Sequence, residues 1–245
     1  MVYARIQQAL SGTGLICRGG FCPEASSDAP VTPLVPTDSL PDGAAVAAVV
    51  IIGNAGEAMW EVFSNSAEYA RRADDDHTLN AWTKRVLDGV AADLNCRAVY
   101  PFDGPPYHPF QRWAMQADQV FPSPIGPLIH ADYGLWHAYR GALLFAEPID
   151  LPAHEPANNP CDVCPDRPCL SVCPVDAFSA QGYDVPHCVS HVETPAGADC
   201  IEQHCRARRA CPIGREYQYV PDHARFHQSH FLRSNRTRSA EEPGF

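Results

Sequence analysis

The hydrophobic and polar positions of the first 150 residues follow two alternating patterns. A continuous apolar, β-branched run at 46–52 predicts a strand that is buried on both faces. Apolar residues at helical spacing over 77–95 predict a long helix on the core. Shorter patterns predict helices at 4–10, around Met59, Trp60 and Phe63, and at 110–120, and strands at 14–17, 97–100 and 141–145. This alternation is typical of an α/β (α+β) domain.

The composition changes near residue 150, where a polar segment rich in Pro and Asn leads into a cysteine-rich region. We therefore predict an α/β domain over 1–152, a smaller module over 153–230 and a mobile tail over 231–245. Within the first domain, residues 23–43 are rich in Pro, Ser and Asp, which predicts a loop.

Charge and hydropathy limit the partners and the compartment. The 245-residue chain carries a formal net charge of -11, which argues against a general nucleic-acid surface. Its longest apolar run, at 44–52, is only strand-sized, so we expect no membrane partner. The first ten residues lack the apolar core of a signal peptide, so the sequence predicts a cytoplasmic, reducing environment.

Eight of the eleven cysteines lie in the last third of the chain, in two runs that each close on Cys-Pro. The first run is Cys161-x2-Cys164-x4-Cys169-x3-Cys173-Pro174, and the second consists of Cys188, Cys200, Cys205 and Cys211-Pro212. Four thiolates hold a 4Fe–4S cluster, and closely spaced cysteines let one loop wrap around it. The final proline turns the chain away because its ring fixes φ and removes a donor. The pattern predicts two 4Fe–4S clusters.

The two runs are predicted to exchange one ligand each. In the bacterial two-cluster pattern, three cysteines of a run bind one cluster and the fourth binds the other. This rule gives set 1, which is Cys161, Cys164, Cys169 and Cys211, and set 2, which is Cys173, Cys188, Cys200 and Cys205. The spacing departs from the bacterial pattern, because the first run has two extra residues before Cys169 and the second is stretched at every interval.

Other uses of the cysteines stay open at this point. Tetrahedral zinc accepts thiolate and imidazole ligands, and the histidines near the runs are His187, His191 and His204. Zinc sites do not need a paired Cys-Pro ending and normally use four ligands, which favours iron–sulfur clusters. A disulfide framework is a further alternative, which a reducing compartment disfavours. Outside the runs, Cys17, Cys22 and Cys96 are expected to be reduced thiols, with Cys17-x4-Cys22 as an alternative redox pair.

Two segments of the first domain concentrate residues that a core does not need. The loop 100–109 is stiffened by prolines and presents Asp103, Tyr107 and His108. Asp103 and His108 are candidate catalytic groups, with a role in turn formation as the alternative for each. The segment 128–141 alternates aromatics, histidines and glycines, which could line a large flat ligand. Together the two segments give the candidate cofactor-binding residues Tyr107, His108, His130, Tyr133, Gly134, Trp136, Tyr139 and Arg140.

One basic stretch lies among the cluster ligands. It consists of Arg206, Arg208, Arg209 and Arg215. Positive charge at this place would raise the reduction potential of a cluster or meet an anionic donor protein. A solvated loop that compensates local negative charge is the alternative.

The sequence resembles two related families. The segment from His130 through Tyr133-Gly134-Leu135-Trp136 to Tyr139-Arg140-Gly141, with His108-Pro109-Phe110-Gln111-Arg112 upstream, resembles the cobalamin-processing family of methylmalonic aciduria and homocystinuria type C. The segment Phe102-Asp103-Gly104-Pro105, the later Tyr133-Gly134-Leu135-Trp136 and the cysteine pattern with Cys188-Val189-Ser190-His191 resemble epoxyqueuosine reductase. Reductive dehalogenases share the plan of a corrinoid domain followed by a ferredoxin module.

The resemblance implies a flavin-reductase-like (nitroreductase-like) corrinoid-binding domain followed by a two-cluster ferredoxin-like domain. It implies cobalamin as the cofactor of the first domain, with FMN as the alternative because the ancestral fold holds FMN. By the same likeness, Asp103 would be a proton donor and Arg140 would lie near a thiol cosubstrate. The chain departs from both families, because Gly104-Pro105-Pro106 alters the loop after Asp103 and the type C proteins normally lack a ferredoxin module.

These observations give one leading hypothesis and two rivals. The leading hypothesis is an iron–sulfur oxidoreductase that passes single electrons from two clusters to a bound corrinoid, for cobalamin processing or for reduction of a small substrate. Its partners would be an electron-donor protein of the flavodoxin or ferredoxin reductase type and a thiol cosubstrate or cobalamin-dependent enzyme. The rivals are a non-catalytic electron carrier of the ferredoxin type and a tRNA-modifying enzyme similar to epoxyqueuosine reductase.

Overall fold

The computed structural model describes residues 1–23, 40, 43–153, 157–179 and 181–241, with side chains as far as residue 236. Most of the predicted loop 23–43 and the last four residues of the predicted tail lie outside the described residues. The chain divides into two compact units. Unit 1 is Met1–Val120 with His137–Ala157, and unit 2 is Phe121–Trp136 with Asn158–Phe245. Residues 121–136, which the sequence pattern places in the first domain, thus belong to unit 2.

Unit 1 combines helices with a four-stranded antiparallel sheet. Its helices are α1 (Val2–Ala9), α2 (Ala58–Phe63), α3 (Ala67–Ala70), α4 (Thr78–Leu94) and α5 (Phe110–Ala117). Its sheet has the order β1 (Ile16–Phe21), β2 (Ala48–Ala55), β6 (His137–Phe145) and β3 (Arg97–Val99). The predicted mixed α/β class is confirmed, whereas the flavin-reductase-like and ferredoxin-like domains remain predictions.

The apolar run at 46–52 forms the centre of this sheet. Strand β2 pairs with β1 on one side and with β6 on the other, both antiparallel. Its residues from Ala48 to Asn54 are all buried. One face of β2 packs in a buried core to which α5 contributes Phe110 and Trp113. The long apolar run is therefore explained by a central strand that has no solvent-facing side.

Two β-bulges flank the carboxyl end of β2, and each one carries an arginine. Opposite Ile51, strand β1 has the two residues Arg18 and Gly19 between the pairs Cys17↔Ile52 and Gly20↔Val50. On the other side, the register passes from Ile52↔Gly141 to Gly53↔Tyr139, so Arg140 is the extra residue of β6. Bulges redirect side chains and are frequent next to functional sites.

Gly19 allows the first bulge to pack against α5. Its φ is +80°, and a Cβ placed there would lie 1.8 Å from the carbonyl oxygen of Ala117. Any other residue would clash with this backbone oxygen. The close approach brings Arg18, whose exposed fraction is 3 %, next to Asp118, which directly follows α5.

Unit 2 consists of short elements joined by many turns. The strand β4 (Val120–Pro122), at the border of the two units, pairs with β5 (Leu128–His130), and β7 (Phe178–Ser179) pairs with β8 (Gly182–Tyr183). The helices are α6 (Val185–Val192), α7 (Ala198–Gln203), α8 (Arg206–Ala210) and α9 (Pro221–Glu241). Residues 231–241, predicted as part of a mobile tail, are therefore helical. Among the described helices, none is both long and apolar enough to cross a bilayer.

The segment 121–136 supplies an apolar wall for the cysteine-rich region. Ile125, Ile129 and Leu135 pack in one buried cluster with Ala207 and Cys211. Close backbone contact needs two glycines here, because a Cβ on Gly134 would lie 2.0 Å from Ile213 O and one on Gly214 would lie 2.3 Å from Tyr133 C. Both glycines also have positive φ, +56° and +69°.

Candidate metal centres

The four cysteines of set 1 line one cavity of unit 2. The cavity has a volume of about 170 Å³, and Cys161, Cys164, Cys169 and Cys211 all contribute to its wall. The rest of the wall is mainly proline and aliphatic side chains. Val163, which belongs to the wall, is 80 % exposed, so the cavity opens to solvent. The geometry thus brings a cysteine of the second run to the three cysteines of the first.

Local turns present these thiols to the cavity. The Cys161 N–H donates to Oδ1 of Asn159 at 3.0 Å, which starts the ligand loop. Cys169 lies in a 3₁₀ turn, Pro168–Leu170. Cys211 follows α8 directly, and Pro212 after it cannot continue a helix. The closing proline therefore has the role that the sequence pattern indicates.

Set 2 is held by the helices of unit 2. Cys188 lies within α6, Cys200 within α7, and Cys205 directly before α8. Cys173 lies before β7, and its Sγ accepts a hydrogen bond from the Ala177 N–H at 3.4 Å. The Gln228 amide of α9 donates to Cys200 O at 2.9 Å, and Cys200 is only 5 % exposed. Each set thus contains one buried cysteine, which is Cys200 in set 2 and Cys211 in set 1.

The thiols of each set influence one another's pKa values. Burial raises the pKa of Cys161 to about 11, and the thiols of Cys211, Cys169 and Cys164 contribute to the rise. In set 2, burial raises the pKa of Cys188, and Cys173 and Cys200 raise it further. Burial also raises the pKa of Cys205, with Cys188 and Cys173 as smaller causes. Four thiolates would repel one another in either set, so each set needs positive charge to become fully ionised.

The arrangement differs from that of a single-ion site. Within the part of the chain that the structure describes, no three His, Cys, Asp or Glu side chains are close enough to bind one metal ion. The four ligands of a 4Fe–4S cluster bind four different irons at the corners of a cube, so they stand farther apart than the ligands of one ion.

Helix α8 connects the two sets, because Cys205 of set 2 precedes it and Cys211 of set 1 follows it. Arg208 anchors this helix, since its Nε donates to Leu135 O at 2.9 Å. Its guanidinium also lies 4.6 Å from the ring centre of Trp136 and 4.8 Å from that of Tyr219. A cation–π contact of this kind stabilises a buried guanidinium.

The other arginines of the predicted basic stretch are mostly paired. Arg206 and Arg209 both contact Asp199, at 2.8 Å and 2.7 Å. These ion pairs lower the pKa of Asp199, with the hydrogen bond from Arg206 as the largest cause. Three of the four arginines thus lie in helix α8 and not in a loop: Arg206 and Arg209 share one carboxylate, and Arg208 anchors the helix.

The predicted loop residues of unit 1 lie in different surroundings. Asp103 forms an ion pair with Lys84 at 2.8 Å, and both side chains are 43 % exposed. Tyr107 is 64 % exposed. Burial, together with the charge of Arg97, lowers the pKa of His108, which keeps its imidazole neutral near pH 7. Tyr107 and His108 thus retain accessible surface for a ligand.

The other two candidates of unit 1 are engaged by the protein itself. The Tyr139 hydroxyl donates to Oδ2 of Asp118 at 2.9 Å, and burial raises the pKa of this phenol strongly. The Arg140 guanidinium donates to Asn80 Oδ1 at 3.0 Å and to Thr83 Oγ1 at 3.0 Å. The bulge at Arg140 therefore directs the side chain to the first turns of α4.

The remaining candidates, which the sequence placed in the same pocket, belong to unit 2. Trp136 is 1 % exposed and packs with Tyr219 and His204. The Nδ1 atom of His130 accepts hydrogen bonds from the backbone N–H of Asp132 and Tyr133, at 2.9 Å and 3.2 Å. The His130 ring stacks on Tyr133 at 4.3 Å. In unit 2 these residues, with Gly134, hold the wall beside the cysteines.

The residues considered for other chemistry have structural surroundings as well. His204 is buried, its Nδ1 accepts the Cys205 N–H at 2.9 Å, and burial lowers its pKa well below the usual value. Burial raises the pKa of Cys17 to about 12 and that of Cys96 to about 12, which makes both thiols unreactive. Cys22 is exposed.

Sequence reasoning missed two features that matter here. Arg167 lines the set 1 cavity, and its position between two predicted ligands was the available signal. Arg18 and Asp118 form a buried ion pair at 2.6 Å. The two glycines after Arg18 were a weak sign of the bulge that carries it.

No protein-family model and no curated protein matches this chain. The functional conclusion therefore depends on the geometry of the two cysteine sets.

Proposed function

We propose that this protein is an iron–sulfur oxidoreductase that passes single electrons from two 4Fe–4S clusters to a bound corrinoid. The observation that carries the proposal is the set 1 cavity, whose wall combines three cysteines of the first run with Cys211 of the second. The predicted set 2 completes the exchange with Cys173 of the first run. This exchange is the ligand pattern of two-cluster ferredoxins.

The residues of both sets suit this cofactor. The set 1 cavity presents four thiols and an otherwise mainly apolar wall, which limits water around a cluster. Burial raises the pKa of the Cys161 and Cys169 thiols, so iron must displace their protons and cluster assembly is favoured at higher pH. When bound, the clusters would supply one-electron transfer, and the electrons would come from a donor protein of the flavodoxin or ferredoxin reductase type.

The corrinoid is the part of the proposal that rests on sequence resemblance. In unit 1, Tyr107 and His108 are the candidate residues with accessible surface, and we propose them as its contacts. Tyr139 and Arg140 would act by holding the surrounding sheet in place, because their polar atoms bond to Asp118 and α4. No step is assigned to Asp103, whose carboxylate is paired with Lys84.

A non-catalytic electron carrier is the second candidate. One observation favours it: six of the proposed pocket residues contact other parts of their own unit. These residues are Asp103, His130, Tyr133, Trp136, Tyr139 and Arg140. A carrier would need only unit 2 for redox chemistry, and unit 1 would serve to bind a partner.

Oxygen-free purification tests the iron–sulfur part of the proposal. We expect about eight iron and about eight sulfide per chain, broad absorption near 400 nm and a colour that bleaches on reduction. Iron, sulfide and zinc are measured on the same sample. A colourless protein, or one that contains zinc in place of iron, would contradict the proposal.

Anaerobic titration with cobalamin separates the oxidoreductase from the carrier. We expect the corrinoid spectrum to change to the form without its lower base and the titration to saturate near one corrinoid per chain. The matched variants Tyr107→Ala and Glu61→Ala change an exposed candidate contact and an exposed residue of α2. Weaker binding in the first variant alone supports the assignment, and an unchanged cobalamin spectrum with the wild type supports the carrier.

A further inference from the structure

The arginines near the two cysteine sets differ in how their charge is compensated. Near set 2, Arg206 and Arg209 share the carboxylate of Asp199. Arg208 is bonded to Leu135 O and stacked on aromatic rings. The single carboxylate offsets one of the two guanidinium charges of Arg206 and Arg209, which weakens their combined field.

Arg167 is different, because it lines the cavity with all four cysteines of set 1. It is the one charged side chain in that wall as far as the structure describes it, and among the described residues it forms no ion pair with a carboxylate. Asp162 and Asp166 are exposed on the same loop, but neither belongs to the wall. Arg167 is an exposed residue of this wall, so its positive charge lies at the rim of the cavity that the four thiols line.

The backbone holds Arg167 at this position. Its φ is +38°, in the left-handed region that non-glycine residues seldom adopt. Its carbonyl accepts the Leu170 N–H at 2.9 Å and begins the turn that carries Cys169. A strained conformation next to a ligand turn is maintained only where the surrounding structure requires it.

Arg167 belongs to the wall of the cavity that the four set 1 thiols line, so its positive charge lies near any cluster held there. Reduction of a cluster adds one electron, and a nearby cation stabilises the reduced form relative to the oxidised form.

We propose that Arg167 raises the reduction potential of the cluster held by set 1. This inference rests on the proposed function, since it concerns the cluster that set 1 would bind. Because the set 1 cavity opens to solvent beside Val163, the cluster that Arg167 favours for reduction is also accessible to an external donor. Arg167 is thus a tuning residue of the set 1 cluster.

Potentiometric titration monitored by electron paramagnetic resonance tests this role. The signal that belongs to set 1 is identified as the one lost in Cys164→Ser. In Arg167→Gln we expect the set 1 reduction equilibrium to become about three- to tenfold less favourable, which is a shift of about 28 to 59 mV to lower potential at 59 mV per tenfold change. Arg167→Lys retains the charge and should restore most of the potential.

Arg225→Gln is the matched control, because it removes one exposed positive charge that is paired with Asp222 on α9. It should leave both potentials unchanged. High salt should reduce the difference between wild type and Arg167→Gln, because Arg167 is exposed and its field is screened. Equal shifts of both clusters, or none, would overturn the inference.

The outcomes also separate this inference from the proposed function. If no variant and no wild-type sample contains iron, the proposed function fails and the inference fails with it. If two clusters are present and Arg167→Gln leaves the set 1 potential unchanged, only the inference fails. If Arg167→Gln does not retain its cluster, the wild-type protein decides, because higher salt should lower the set 1 potential relative to the set 2 potential, and no relative change overturns the inference.

Discussion

Replacing Cys211 with serine is expected to abolish the same cluster signal as replacing Cys161, although the two cysteines lie in different runs. Both side chains line the set 1 cavity, and loss of one thiolate of four leaves an iron without its ligand. Iron content should fall from about eight to about four per chain, because set 2 keeps all of its cysteines. Iron analysis and electron paramagnetic resonance of the reduced protein measure this change.

The reciprocal variants make the test sharper. Cys173→Ser and Cys188→Ser, each as a single variant, should abolish the signal of the set 2 cluster. The reason is that Cys173 lies near Cys188 and Cys205. Cys96→Ser is the control, because this partly buried thiol belongs to unit 1 and to neither set. If Cys211→Ser instead removed the signal that Cys188→Ser removes, each run would bind its own cluster and the exchange would be wrong.

The central strand could be predicted from sequence because the relevant information is local. A strand with both faces buried needs a continuous apolar run, and the run at 46–52 lies largely within β2. The first cysteine run gives a local signal of the same kind, since short spacing limits which thiols can reach one cluster. The placement of Cys211 with this run came from the ligand exchange of two-cluster ferredoxins, and the cavity that these four cysteines line agrees with it.

The surroundings of the candidate pocket could not be predicted in this way. Residues 128–141 alternate aromatics and glycines, which a ligand wall and a packed protein wall use equally. Only the tertiary structure shows that Trp136 packs with Tyr219 and that Gly134 meets the backbone of Ile213. The helix over 221–241 was also missed, because its polar sequence has no clear apolar periodicity.

Removing the Asp118 carboxylate is expected to destabilise unit 1 strongly. Asp118 contacts Arg18 at 2.6 Å, and the two side chains are 10 % and 2 % exposed. It also accepts the Tyr139 hydroxyl, so Asp118→Ala leaves a buried cation and a buried phenol without this partner. Breaking a buried pair in this way costs about 3–5 kcal/mol of unfolding free energy. Urea unfolding monitored by tryptophan fluorescence measures it, because Trp60, Trp82 and Trp113 all lie in unit 1.

Two further variants show whether the cost comes from the uncompensated charge. In the double variant Arg18→Met/Asp118→Ala, both charges are absent. Most of the lost unfolding free energy should return, because burying a methionine side chain costs far less than burying an unpaired guanidinium. Asp103→Ala removes the exposed ion pair with Lys84 in the same unit and should change the unfolding free energy by less than about 1 kcal/mol. A double variant as unstable as Asp118→Ala alone would mean that the hydrogen bond to Tyr139, and not the buried arginine, requires the carboxylate. The bulge at Arg18 would then have no electrostatic role in holding α5 against the sheet.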